Sequence, residues 1–335
     1  MDMGVRATAG ADFSPVVGNF DSVPIVLACN GSYVEQTVVA MHSILANRGA
    51  DDECYELHVL GLCLTRRQLQ KLRSVADHHH RCRIFAKNVD PQATIAGCHC
   101  VGHYSAAANL RLLIPDLFPD KSRALWLDSD ILAVSSLQPL LTMDLGECYL
   151  AAVREMDATG HARLGERLDL PTPANYFNAG VLLLHLDAMR RDAVHRHALQ
   201  LLQRQDARQM LRFPDQDALN LAAFGRVHFL PPRWNCFANG ALDSCPSDPA
   251  IIHFAGSKKP WNMLIASGKH REHYLLYHRF EKSCCKDRRH RIALFFRRLV
   301  FAAPQHFFGL RDLVRLARYA LRRRFRRRTG RPHLQ

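Results

Sequence analysis

Four consecutive apolar residues, Ala124-Leu125-Trp126-Leu127, run without a break into Asp128-Ser129-Asp130. A short, wholly apolar run that ends in charge reads as a strand buried on both faces, and such strands belong to sheets covered by helices on both sides. In open α/β sheets ligands gather beyond the carboxyl ends of the strands, where these two aspartates fall. The rest of the chain fits this frame. Residues 25–28 read as a strand that leaves through Cys29-Asn30-Gly31-Ser32, and residues 34–46 carry a helical apolar period. Residues 57–60 follow as a second strand and 65–75 as a helix with Thr65 as N-cap. Residues 84–85 open a third strand. Residues 181–186 form another buried strand, entered through Phe177-Asn178-Ala179-Gly180, and 188–204 read as the helix after it. Strands alternating with helices predict an α/β fold.

Composition narrows the class. The 335 residues are 48% apolar and 23% charged, which supplies a sizeable core and excludes disordered, collagen-like and disulfide-scaffold proteins. The net charge of +14 belongs to one end: residues 286–335 hold 16 of the 45 basic residues and two of the 31 acids, leaving the remainder at 29 against 29. Eleven cysteines without regular spacing point to a reducing compartment. The N-terminal residues hold no apolar core of signal-peptide length, and no apolar run reaches the roughly 18 residues of a spanning helix. The expected location is the cytosolic side of the membrane.

Several residue groups carry possible chemistry, each with a plainer rival. Asp128 and Asp130 can converge on a divalent cation, which removes their repulsion and in turn neutralises a diphosphate; the rival is a solvated turn in which Asp caps a helix. His253, after Ile251-Ile252, is a competent third ligand, Gly256 lets a backbone N–H approach a phosphate, and Lys259 adds a point charge. An ordinary basic loop is the rival there. Asp215-Gln216-Asp217 opens a helix after Pro214 and suits either sugar hydroxyls or simple capping. Asn178 offers an amide to hydroxyls or serves as a buried turn residue. Arg111, a lone cation in an apolar helix over Leu110 to Pro115, either snorkels or reaches a phosphate or carboxylate in the site. His78-His79-His80 reads as a solvated turn, and Cys98-His99-Cys100 lacks the spacing of a structural zinc site. Cys284-Cys285 reads as a pair of free thiols.

The Asp128-Ser129-Asp130 triplet after Leu-Trp-Leu, Phe177 to Gly180, Asp215-Gln216-Asp217 and the segment His253 to Trp261 occur in the order of glycosyltransferase family 8. Over roughly residues 23–265 the chain resembles that family, in particular its bacterial lipopolysaccharide galactosyl- and glucosyltransferases. The resemblance implies a GT-A fold, a mixed central sheet flanked by helices that binds a nucleotide sugar. It implies an enzyme that retains anomeric configuration, with UDP-glucose or UDP-galactose as donor and Mn²⁺ as cofactor, Mg²⁺ being the alternative ion. It places Asp128, Asp130 and His253 as metal ligands and Gly256 and Lys259 at the diphosphate. Ala28, Asn30 and Ser32 fall where the family binds the nucleoside, and Ser129 within the donor-binding triplet. Arg111, Asn178, Asp215 and Gln216 fall at the donor sugar, with Gln216, Asp215 and Asn178 as the catalytic set. Relatives commonly carry Asp at position 30 and Asn at 32, so Asn30 and Ser32 are departures that bear on base selectivity. The residue at the nucleophile's place, Gln216, is a neutral amide, which favours front-side attack over a covalent intermediate.

Residues 286–331 differ in character. Leu310, Leu313, Val314, Ala317, Leu321 and Phe325 share one helical face, with Arg311, Arg315, Arg318 and Arg322 beside it. This predicts a basic amphipathic helix on an anionic membrane surface, where each cation contributes about 1 kcal/mol. A helix packed on the domain is the rival; nucleic-acid binding is disfavoured because the aromatics form an apolar face rather than a stacking platform. The expected organisation is a loose extension (1–22), a glycosyltransferase domain (23–285) and a membrane-associating tail (286–335). The expected function is transfer of glucose or galactose to a glycan or glycolipid, with lipopolysaccharide core as the favoured acceptor, by a cytoplasmic protein peripheral on the inner face of the cell membrane. The alternatives are a sugar-nucleotide-binding protein without transferase activity and, less favoured, a nucleic-acid-binding protein.

Overall fold

A computed structural model describes residues 22–50, 52, 54–90, 106–155, 161–204, 206–238, 246–256, 259–262 and 271–284. The basic tail, Cys98-His99-Cys100 and all of the N-terminal extension but Ser22 lie outside the described residues. The chain begins β1 (Ile25–Asn30), α1 (Val34–Ala46), β2 (Tyr55–Leu62), α2 (Arg66–Arg73) and β3 (Cys82–Asn88). Then come β4 (Arg123–Leu127), β5 (Ile131–Ala133), β6 (Leu150–Arg154) and β7 (Phe177–His185). Helices α3 (Val194–Gln203) and α4 (Pro214–Ala222) precede β8 (Val227–Phe229), β9 (Cys236–Phe237), β10 (Ile251–His253) and α5 (Arg271–Cys284). Shorter helical turns connect these elements and carry no label.

Seven strands form the main sheet in the order β3-β2-β1-β4-β7-β6-β8. β1, β2, β3 and β4 run parallel, β7 runs antiparallel to β4 and β6, and β8 is parallel to β6. The mixed sheet and its flanking helices are the α/β architecture expected. Burial on both faces explains the unbroken apolar strands: Ile25, Leu27, Leu125 and Leu183 pack into one core, Val26, Trp126, Leu182 and Leu184 into the other. Thr65 caps α2 through a reciprocal box, its Oγ1 accepting from Gln68 N at 3.3 Å while its N–H donates to Gln68 Oε1 at 2.8 Å.

Three local readings are corrected. Phe177-Asn178-Ala179-Gly180 is not a turn before a strand but the first four residues of β7 itself. The single helix expected over 188–204 is two, Leu186–Arg191 and α3, broken where Ala193 takes φ 52°. Arg111 lies on a 3₁₀ turn, Leu110–Leu113, rather than on an α-helix. Among the described cysteines six are free and Cys236 is disulfide-bonded. His78 and His80 are exposed as expected, while His79 Nε2 lies 2.7 Å from His42 Nδ1. Among the described residues no helix is long and apolar enough to cross a membrane.

A second sheet, β5-β10-β9, positions the site. β5 follows the Asp128-Ser129-Asp130 turn directly and pairs antiparallel with β10, so that His253 stands opposite Ile131. Phe254 N donates to Asp130 O at 2.9 Å, extending that ladder by one bond. This register brings an imidazole to the aspartates across more than a hundred residues of chain.

Candidate active site

Asp128 leaves the end of β4 with its N–H donated to Gly180 O at 2.8 Å, so the start of antiparallel β7 lies beside it. His253 Nε2 is 3.2 Å from Asp130 Oδ1 and 3.8 Å from Asp128 Oδ2. Ligand atoms of the three residues lie within 4.8 Å of one another. Two hard carboxylates and one imidazole fit a divalent cation such as Mn²⁺ or Mg²⁺. Lys259 Nζ donates to Asp130 Oδ2 and, at 2.6 Å, to Phe254 O. Burial alone would raise the Asp130 carboxyl, but Lys259 and His253 outweigh it and hold the group well below the usual carboxylate range. Burial pushes the Asp128 carboxyl up; Arg111 opposes that rise and the neighbouring Asp130 charge adds to it. Lys259 is itself held above its ordinary value because the Asp130 charge overcomes its burial.

Arg111 joins this cluster to the far end of the pocket. Only 5% exposed, it donates from Nη2 to Asp128 Oδ1 at 2.9 Å and from Nε to Asp215 Oδ2 at 3.0 Å. Nη1 donates to Ala179 O, and the guanidinium lies 4.9 Å from the Trp126 ring centroid. Of the two sequence readings, contact with carboxylates is the one realised. Asp215 and Gln216, in the first turn of α4, face the same cavity as Asn178 of β7. Gln216 is saturated: Nε2 donates to Tyr176 Oη at 2.9 Å and Glu155 Oε2 at 3.1 Å, and Oε1 accepts from Ala179 N at 3.0 Å and Asn178 Nδ2 at 3.1 Å. Asp217 points the other way, fully buried, and accepts from Arg167, Tyr176 and the N–H groups of Arg212 and Phe213. Burial first, then the Asp217 charge, raises the Tyr176 phenol well above its ordinary value, so it stays a neutral donor.

The cavity measures about 410 Å³ and is lined by Asp128, Asp130, His253, Arg111, Asp215, Gln216 and Asn178. Ala28, Asn30, Ser129, Gly256 and Lys259 also line it. Gly256 adopts φ +77°, a left-handed conformation that a side chain would strain. Ser129 Oγ donates to Ala28 O at 2.7 Å, tying the triplet to the end of β1. Ser32 is the exception: exposed and off the lining, it donates its N–H (3.0 Å) and Oγ (2.6 Å) to Asn30 Oδ1. Sequence reasoning missed Glu155, which lines the cavity and accepts from Asn178 Nδ2 at 2.9 Å. It also missed Asn235, whose Oδ1 lies 2.8 Å from His253 Nδ1. Pro231-Pro232 upstream reads as a loop, and nothing in its spacing points to the amide that follows. Cys29 lines the cavity too, but burial pushes its thiol up to about 11, so at neutral pH it is no nucleophile.

A mixed sheet whose β4 runs into an Asp-x-Asp turn facing a distant histidine has the GT-A fold, which the solved structures share. The galactosyltransferase LgtC, solved with donor and acceptor sugar analogs, superimposes with a TM-score of 0.64 at 24% identity, covering 78% of this chain and 96% of LgtC. The chain matches Glycosyl transferase family 8 over residues 24–264, and it belongs to that family. It is 29% identical to General stress protein A of Bacillus subtilis, over 54% of this chain and 67% of that protein. It is 27% identical to the Lipopolysaccharide 1,3-galactosyltransferase of Salmonella typhimurium, over 48% of this chain. The match spans half the length of that relative.

Proposed function

We propose that the protein transfers glucose or galactose, with retention, from a UDP-sugar to a glycan acceptor of the lipopolysaccharide-core type. One observation carries the reading: Asp128, Asp130 and His253 converge in the same cavity as Arg111, Asp215, Asn178 and Gln216, which supports a cation-held diphosphate with a hexose beside it. Membership of family 8 and the named activity of the Salmonella relative support the donor and acceptor classes.

Asp128, Asp130 and His253 would hold Mn²⁺, or Mg²⁺ in its place. When bound, the ion supplies Lewis-acid neutralisation of charge developing on the leaving diphosphate. Lys259 and the backbone at Gly256 approach the same diphosphate and add electrostatic stabilisation. Ala28, Asn30 and Ser129 border the nucleoside end, and Ser32 acts there only through Asn30. Asp215, fixed by Arg111, orients sugar hydroxyls and stabilises oxocarbenium-like charge. With all four hydrogen-bonding positions of its amide engaged, Gln216 supports the site's shape and is a poor nucleophile. That favours a front-side route: the acceptor hydroxyl attacks on the face the UDP leaves from, and a phosphate oxygen takes its proton. Screening UDP-sugars for Mn²⁺-dependent hydrolysis tests the reading without needing the acceptor. UDP-glucose or UDP-galactose should be consumed; binding without turnover of any UDP-sugar would leave a sugar-nucleotide-binding protein instead.

The tail reading completes the proposal. Residues 286–331 would hold the domain, 23–285, peripherally on the inner face of the cell membrane, close to a lipid-linked acceptor. The intact chain should co-sediment with vesicles containing anionic lipid and lose that affinity when shortened to residues 1–285. Equal sedimentation of the two chains, or none, defeats it.

A further inference from the structure

The polar groups behind the candidate metal ligands form a chain with a fixed direction. It starts at the backbone of Gly180, whose N–H can only donate, and which gives its hydrogen to Asn178 Oδ1 at 2.9 Å. That identifies the oxygen end of the Asn178 amide. The other end agrees, since Nδ2 faces the Glu155 carboxylate, which when ionised can only accept, at 2.9 Å. Asn178 Oδ1 also receives Asn235 Nδ2 at 2.8 Å, so the Asn235 amide must turn its oxygen the opposite way. That oxygen stands 2.8 Å from His253 Nδ1. Two facing lone pairs at such a distance would repel, so Nδ1 carries the hydrogen. The second ring nitrogen, Nε2, is then the one left to face Asp128 and Asp130. Asn235 is 1% exposed, His253 3% and Asn178 8%, so water does not compete for these bonds.

Close packing keeps the ring in place. A Cβ on Gly180 would collide with His253 Cε1 and fall 2.8 Å from Nδ1, so the imidazole lies directly on the bare glycine backbone. The four-residue start of β7 therefore serves His253 twice, with Gly180 as a flat seat and Asn178 as the origin of its hydrogen-bond polarity.

We propose that Asn235 is a positioning residue of the metal site: held by Asn178, it keeps the hydrogen of His253 on Nδ1 and so presents Nε2 as the ligand atom. The proposal rests on the metal reading above, but its first test does not. In the metal-free full-length chain, ¹⁵N-labelled at histidine, His253 Nδ1 should carry a hydrogen that exchanges slowly with solvent. Finding Nδ1 without it overturns the assignment, whatever the protein binds. The second test is Mn²⁺ affinity, measured by electron paramagnetic resonance of the free ion. Asn235→Ala should bind Mn²⁺ about 10- to 100-fold more weakly than the unmodified chain. Asn235→Asp, which keeps an acceptor facing Nδ1, should bind more tightly than Asn235→Ala. Equal affinity of Asn235→Ala and the unmodified chain overturns the proposal. If Asn235→Ala fails to fold, the labelled unmodified chain decides alone. An unmodified chain that takes up no Mn²⁺ refutes the metal reading, and the nitrogen that bears the hydrogen still answers for Asn235.

Discussion

Replacing either aspartate of the Asp128-Ser129-Asp130 turn by asparagine is expected to reduce Mn²⁺-dependent sugar transfer by about 10³-fold or more. Asparagine is the informative choice because each carboxylate also has a structural partner. Asp130 neutralises Lys259, and Asp128 neutralises one arm of Arg111. An alanine would leave those cations facing a void, mixing loss of fold with loss of function. The asparagine variants keep the volume but remove the counter-charge of Lys259 or of one arm of Arg111, so urea midpoints should fall while the circular dichroism of the folded chain stays native and turnover collapses. Mn²⁺ affinity, read in parallel, should fall with turnover. Retention of full Mn²⁺-dependent activity in both variants would remove the basis for a cation-held diphosphate here.

The second large effect falls on stability. Arg111 is a nearly inaccessible guanidinium that satisfies Asp128, Asp215 and two backbone carbonyls at once. Truncating it to methionine leaves two carboxylates in a desolvated wall without their cation. Breaking a buried pair in this way costs about 3 kcal/mol or more, corresponding to a melting temperature lower by roughly 6–12 °C for a domain of this size. Lysine should rescue little, because one ammonium cannot reproduce a planar fork aimed at two acids and two carbonyls. Thermal melts of Arg111→Met, Arg111→Lys and the double variant Arg111→Met/Asp215→Asn would check this. The double variant should recover part of the loss, since it removes one of the abandoned charges.

What could be read from the residues alone was whatever the pattern of apolar side chains records. β1, β4 and α1 are legible because burial on both faces of a sheet, or on one face of a helix, leaves a periodic signature. The break at Ala193 is not: neither it nor its neighbours Asp192 and Val194 is a glycine or proline, so no residue type there marks the positive φ. The DxD turn and His253 were legible as chemistry, through residue type and position after an apolar run. Their convergence was not, because it depends on the β5–β10 register, a pairing between strands of three residues each. Glu155, Asn235 and Tyr176 follow no pattern; they matter through partners distant in sequence. Ser32 is the opposite case, a residue placed by motif that spends both its donors on Asn30 and leaves the cavity wall to that neighbour.

The junction of the two sheets also orders events in time. Asp128 and Asp130 emerge from the ribosome with β4 and β5, yet β5 has no partner strand until β10 is made. A nascent chain that ends before residue 253 owns two thirds of a ligand set and no imidazole. A cation held as proposed would therefore find its full ligand set only once residue 253 is made, after the main sheet can already form, so that a folded scaffold waits for its last ligand.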